Sequence, residues 1–131
     1  MIRIILTTII TVFFSLTAYA DMNDANKSKA WYCSGIYMTN YFLPATYFLP
    51  PGETLEYTMK VKSIASAKVL KAYALETGVP EINWNEGANK AIVEYYNEKY
   101  DKVKTDECHA FLEALILNGK ERVNKVVQTL Y

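Results

Sequence analysis

Beyond residue 50 the apolar residues of this chain recur every three or four positions, and no stretch holds a period-two alternation. That rhythm lines apolar side chains along one face of successive helices and leaves no half-buried strand. Val61, Ala65, Val69, Ala72 and Leu75 form one stripe, with Lys60, Ser63 and Lys71 outward; they predict a helix over 53–77, stopped by Gly78 and Pro80. Ala88, Ile92, Tyr96, Tyr100 and Val103 form a second stripe, in a helix beginning near Asn85 after a short connector at 81–84. Cys108, Leu112, Leu115, Gly119, Val123, Val126 and Leu130 keep one face for more than six turns. They predict a single long helix from Thr105 or Asp106, with two helices kinked at Gly119 as the alternative. An earlier helix over 30–42 carries Trp31, Met38 and Phe42 and ends before Pro44, which lacks an amide donor. Asp21 to Ser28 reads as a flexible polar start. The expected fold class is all-α, a small bundle of about four helices, regular or irregular, with one intramolecular disulfide.

The disulfide follows from the start of the chain. Residues 1–20, MIRIILTTIITVFFSLTAYA, place Arg3 before an apolar run and end in Ala18-Tyr19-Ala20. This is the layout of a cleaved secretory signal peptide, and Ile4–Ala18 falls short of the ~20 residues a membrane span needs. The expectation is therefore a signal peptide over 1–20, a single helical domain over 21–131, no stable membrane anchor after cleavage, and a periplasmic or secreted location. There Cys33 and Cys108, the two cysteines of the chain, pair with each other. In a regular up-and-down bundle, however, a cysteine early in the first helix and one early in the last lie at opposite poles. The pairing thus requires a crossed helix arrangement or a long connection through 43–52.

Charge narrows the partners. Without Arg3, thirteen Lys and Arg face fourteen Asp and Glu, so the domain is close to neutral. Nucleic acid as a main partner is excluded on that ground, since phosphate binding needs a concentrated basic surface. The local cluster Lys60, Lys62, Lys68 and Lys71 reads as a solvated helix face.

Catalytic motifs are missing. There is no Gly-x-Ser-x-Gly, no His-Glu-x-x-His and no glycine-rich phosphate loop. The single histidine, His109, with Glu113 one turn on, reads as an exposed surface pair and supplies too few ligands for a metal site. No catalytic residue, metal ligand or cofactor is expected.

Aromatic residues carry the functional expectation. Tyr41-Phe42-Leu43-Pro44 is repeated as Tyr47-Phe48-Leu49-Pro50, and three prolines with Gly52 force a loop or extended turn. Ten of the eleven tyrosines lie beyond residue 20, and tyrosine is enriched in recognition surfaces. Tyr47, Phe48 and Leu49 in the loop, with Tyr37, Tyr41 and Tyr95 on helix surfaces, are the candidate partner-binding residues. The leading expectation is an exported non-enzymatic domain of the cell envelope that binds another protein, as an inhibitor, immunity factor or adaptor. A stress chaperone that exposes apolar surface, and a small secreted hydrolase, are the alternatives. For the chaperone, Trp31-Tyr32-Cys33 near the mature N-terminus, with a second cysteine downstream, resembles the small periplasmic acid-stress chaperones of the HdeA type. The resemblance stops at Ser34-Gly35-Ile36, where that family carries an acidic and an aromatic residue, and at the wider cysteine spacing of this chain.

Overall fold

The structure is a computed structural model that describes residues 22–42, 55–96 and 100–130. These form five helices: α1 (Asp24–Phe42), α2 (Leu55–Glu76), α3 (Glu81–Tyr95), α4 (Lys102–Leu115) and α5 (Gly119–Leu130). Among the described residues there is no strand, and no helix is long and apolar enough to cross a membrane. The expected signal peptide over 1–20 and the candidate partner-binding residues Tyr47, Phe48 and Leu49 lie outside the described residues.

α1 is the centre, packed against α2, α3 and α4. It begins six residues earlier than the apolar pattern predicts. Asn23 accepts the backbone N–H of Asn26 at 2.8 Å, so this side chain caps a polar first turn that sequence hydropathy reads as flexible. The longer helix dissolves the conflict over the cysteines. Cys33 is the tenth of nineteen residues in α1, and Cys108 the seventh of fourteen in α4. Both lie mid-helix, so the bond joins two helices where they cross. The cysteines are bonded and fully buried, with Cα atoms 5.4 Å apart.

The approach of α1 to α3 uses two glycines. A Cβ on Gly35 would meet the Ala91 carbonyl oxygen at 2.9 Å, and a Cβ on Gly87 would fall inside the Trp31 ring. Trp31 therefore packs directly against Gly87 and donates its indole N–H to the Trp84 carbonyl at 3.2 Å. Trp84, Ala88 and Ala91 form the buried face of α3. Residues 81–84, expected as a connector, are the first turn of that helix, begun at Pro80, whose fixed φ suits a helix start. The predicted stripe fails beyond Ile92: α3 ends at Tyr95, Tyr96 is exposed, and Val103 lies exposed in α4. The helix change between Tyr96 and Asp101 resets the phase.

α2 ends as Gly78 and Pro80 predict. Gly78 has a φ of 99°, its N–H bonds the Leu75 carbonyl, and the Val79 N–H bonds the Ala74 carbonyl; this is a Schellman cap. α2 is buried on two sides because α1 and α5 both pack on it. Ser63, expected outward, is consequently buried, and Ala72, expected inward, is exposed.

The predicted long helix over 105–130 is two helices. α4 starts at Lys102, where the Asp101 carboxylate accepts the Lys104 N–H at 3.0 Å, rather than at Thr105 or Asp106. It stops at Leu115. Asn118 adopts a φ of 57°, and Gly119 sits where a Cβ would be 2.9 Å from the Leu112 side chain. An asparagine tolerates the left-handed conformation better than most residues, so the Asn118-Gly119 stop signal prevails over the continuous apolar phase. Each helix keeps its own buried stripe, Cys108-Leu112-Leu115 in α4 and Gly119-Val123 in α5. Arg122 then ties α5 to the end of α2, donating two hydrogen bonds to the Glu76 carboxylate at 2.7 and 3.1 Å.

Candidate binding groove

The sequence-predicted surface tyrosines separate into two kinds. Tyr37 is fully buried, which corrects its reading as an exposed partner-binding residue. The physical reason is its register: it lies one helical turn after Cys33, on the face of α1 that the disulfide holds against α4. Across that contact stands His109, the neighbour of Cys108. The Tyr37 hydroxyl is 2.8 Å from His109 Nδ1, and the two rings stack with centroids 5.2 Å apart. His109 is therefore half-buried, a correction to its reading as a surface residue paired with Glu113. Desolvation against this interior, aided by the Lys62 ammonium, lowers the His109 pKa from 6.5 to about 4, against the opposing pull of Asp106 and Glu113. Burial likewise pushes the Tyr37 phenol up. Beneath the imidazole a cavity of about 40 Å³ is lined by Ser66, Leu112, Lys120 and Val123, among others.

A buried polar link lies one turn further along α1. Asn40 donates from Nδ2 to Ser63 Oγ at 3.3 Å and to Thr105 Oγ1 at 3.0 Å, so one side chain joins α1, α2 and α4. All three residues are buried, and the link serves to position helices rather than to meet a ligand.

Tyr41 and Tyr95 are exposed, as expected. They lie in different places. Tyr95 meets Tyr32 edge-on with centroids 4.8 Å apart, on the α1–α3 side. Tyr41 lies at the end of α1, edge-on to Phe42 at 5.6 Å, with the Lys60 ammonium 5.9 Å from its ring centre. Here α1, α2 and α5 leave a groove of about 660 Å³, a size typical of ligand pockets. Its lining combines Tyr41 and Phe42 of α1, Val61 and Ile64 of α2 and Leu130 of α5. Phe42 is 55% exposed and Leu130 37%, so the groove holds large apolar side chains in contact with solvent. Its lining includes two cations, Lys60 and Lys68, and no carboxylate among the described residues.

Sequence reading singles out Tyr41 of this set and misses Phe42, Ile64 and Leu130. Phe42 and Leu130 read as members of buried stripes because both continue a helical apolar phase. Each lies at the last turn of its helix, where the phase outlasts the helix that would cover it. Among the described residues no three of His, Cys, Asp and Glu come together as a metal would require. Comparison with known protein families, curated proteins and solved structures finds no match for this chain.

Proposed function

We propose that this chain is an exported, non-enzymatic protein-binding domain of the cell envelope, and that the groove between α1, α2 and α5 receives its partner. The observation that carries this reading is that exposed Tyr41, Phe42 and Leu130 line one groove together with Val61 and Ile64. Exposed apolar side chains gathered in a concavity mark interaction sites more often than they mark chance exposure. Aromatic residues at such a site bring large contact area for little loss of side-chain freedom. The signal-peptide pattern of residues 1–20 and the buried Cys33–Cys108 bond support a periplasmic or secreted location, since disulfides persist in oxidising compartments.

The test places a photo-crosslinking amino acid at Phe42 or Leu130 in the chain expressed in its native host. One stoichiometric crosslinked protein, lost when Ile64 is changed to Ser, is the expected result. Crosslinks to many unrelated proteins, or none from these positions, would refute a dedicated partner at the groove.

One observation favours the chaperone as a second reading. His109 stays neutral in the folded domain well below its ordinary pKa, so acid weakens the contact between α1 and α4. Gain of hydrophobic-dye binding between pH 5 and 3, with suppression of client aggregation in the same range, would support it.

A further inference from the structure

The cavity beside His109 shares no lining residue with the groove between α1, α2 and α5, and it carries a different chemistry. Three helices bring polar side chains to it: Lys62 and Ser66 from α2, His109 and Glu113 from α4, Lys120 and Asn124 from α5. Two ammonium groups thus share the cavity with one carboxylate. Among the described residues none of Lys62, Lys120 and Glu113 forms an ion pair, so the cavity keeps a surplus of positive charge. His109 Nδ1 is held at 2.8 Å by the Tyr37 hydroxyl, which leaves Nε2 as the ring nitrogen that can meet a ligand. The imidazole is neutral in the folded domain, kept so by desolvation first and by Lys62 second.

We infer that this cavity binds a small carboxylate between the Lys62 and Lys120 ammonium groups, with His109 as a third donor. Its volume of about 40 Å³ holds about three water-sized groups at roughly 10–15 Å³ each. A carboxylate, one carbon and two oxygens, matches that space; a phosphate, with its four oxygens, exceeds it. Charge-assisted bonds from two ammonium groups are the strong contacts such an anion can make. A protonated His109 always presents an N–H at Nε2, whereas the neutral ring does so in only one tautomer. The carboxylate therefore favours protonation of His109 and, by linkage, binds more tightly as pH falls. The other charged and titratable groups around the ring fit this direction. Asp106 and Glu113 already favour the proton, and Lys62 opposes it. Lys102 is paired with Asp106 at 2.6 Å, Tyr100 lines a neighbouring cavity with His109, and burial keeps the Tyr37 phenol neutral. A bound anion offsets the field of Lys62 and Lys120, the two cations of the cavity itself.

The experiment follows the single imidazole of the processed full chain by proton NMR. Sodium formate, sodium chloride and sodium phosphate are each titrated at constant ionic strength, at pH 6.5 and at pH 5.0, where formate stays ionised. Formate is expected to shift the His109 resonance saturably, with chloride and phosphate about tenfold weaker or more. Formate affinity should rise about two- to threefold from pH 6.5 to 5.0. Lys62→Gln and Lys120→Gln should each weaken it about fivefold, and Glu113→Gln should strengthen it by a similar factor. Lys125→Gln, on α5 outside the lining, should leave it unchanged. All four residues are exposed, so folding is retained, and circular dichroism checks this.

No saturable shift with formate overturns the inference. So does equal affinity for formate, chloride and phosphate, or binding that Lys62→Gln and Lys120→Gln leave unchanged. An affinity that stays constant between pH 6.5 and 5.0 overturns the part assigned to His109. The carboxylate can belong to a free acid or to the end of a polypeptide, and a parallel titration with acetyl-glycyl-glycine separates the two sources. Tighter binding of formate supports a free acid; tighter binding of the peptide supports the chain end of a protein. None of these outcomes bears on the groove, which uses other residues.

Discussion

Lowering the pH should destabilise this domain through one imidazole before its carboxylates titrate. His109 has a folded pKa of about 4, against an ordinary value of 6.5, because its ring is stacked on buried Tyr37 and faces Lys62. A depressed histidine pKa means that the unfolded chain binds the proton first. Stability is therefore full above pH 6.5 and is lost progressively as pH falls from 6.5 to 4. Two and a half units correspond to an upper bound of about 3.4 kcal/mol. The ring is only half-buried, and screening by solvent roughly halves this, to about 1.5–2 kcal/mol. Between pH 6.5 and 5, where most carboxylates remain ionised, about 1 kcal/mol of that should disappear.

The assay is urea unfolding at half-unit pH steps, for the wild type and for His109→Gln, which keeps a polar group but removes the titration. The variant should lack about 1 kcal/mol of the wild-type loss over that interval. Since the chain has one histidine, its imidazole proton resonance also gives the folded pKa directly from a single curve. Identical pH slopes in the two proteins, or a measured pKa near 6.5, would refute the desolvation argument.

Three further outcomes test the packing. Gly87→Ala forces a methyl group into the Trp31 ring; the overpacking should cost about 1–3 kcal/mol despite alanine's better helix propensity, read as a lower Tm and a shifted tryptophan emission. Asn40→Ala leaves Ser63 and Thr105 without their shared donor and should cost about 2 kcal/mol in urea unfolding, with no change in the oxidised state of the cysteines. The double change Cys33→Ala/Cys108→Ala opens a loop of sequence separation 75. On the chain-entropy account it should cost about 4–5 kcal/mol, seen as a lower urea midpoint that reductant no longer moves.

The helix content and the disulfide are legible because both rest on local signals: apolar period, Gly78 and Pro80 as stops, two cysteines behind a segment that reads as an export signal. What misleads is phase. Apolar residues at helical spacing run through 105–130 although the backbone does not, because α4 and α5 each turn a stripe to the core, and through 88–103 the spacing simply continues past the end of α3 onto exposed Tyr96 and Val103. Asn118-Gly119 breaks the second run, and the expectation of one long helix gives that dipeptide too little weight. The α1 start fails for the opposite reason: its first turn, Asp24 to Lys27, is polar, and only the Asn23 side chain marks it.

The aromatic character of the groove is legible in the sequence, its place less so. Counting tyrosines suggests recognition surfaces but cannot sort Tyr37 from Tyr41, since the two lie one turn apart on the same helix. The disulfide can. A residue four positions after a cysteine that pairs across the core lies over the same crossing, so Tyr37 belongs to the interior once Cys33 is paired with Cys108. Tyr41, a turn further on, and Phe42 fall at the end of α1, past Asn40 and its bonds to Ser63 and Thr105. The same central helix thus uses its aromatic residues in two ways: Tyr37 fixes the core beside the crosslink, and Tyr41 with Phe42 opens a wall to solvent. Changing Phe42 to Ser should therefore weaken partner binding without lowering Tm, whereas changing Tyr37 to Ser should lower Tm by several degrees. A loss of binding from Phe42→Ser that came with equal unfolding would place Phe42 in the core instead and remove the wall from the groove.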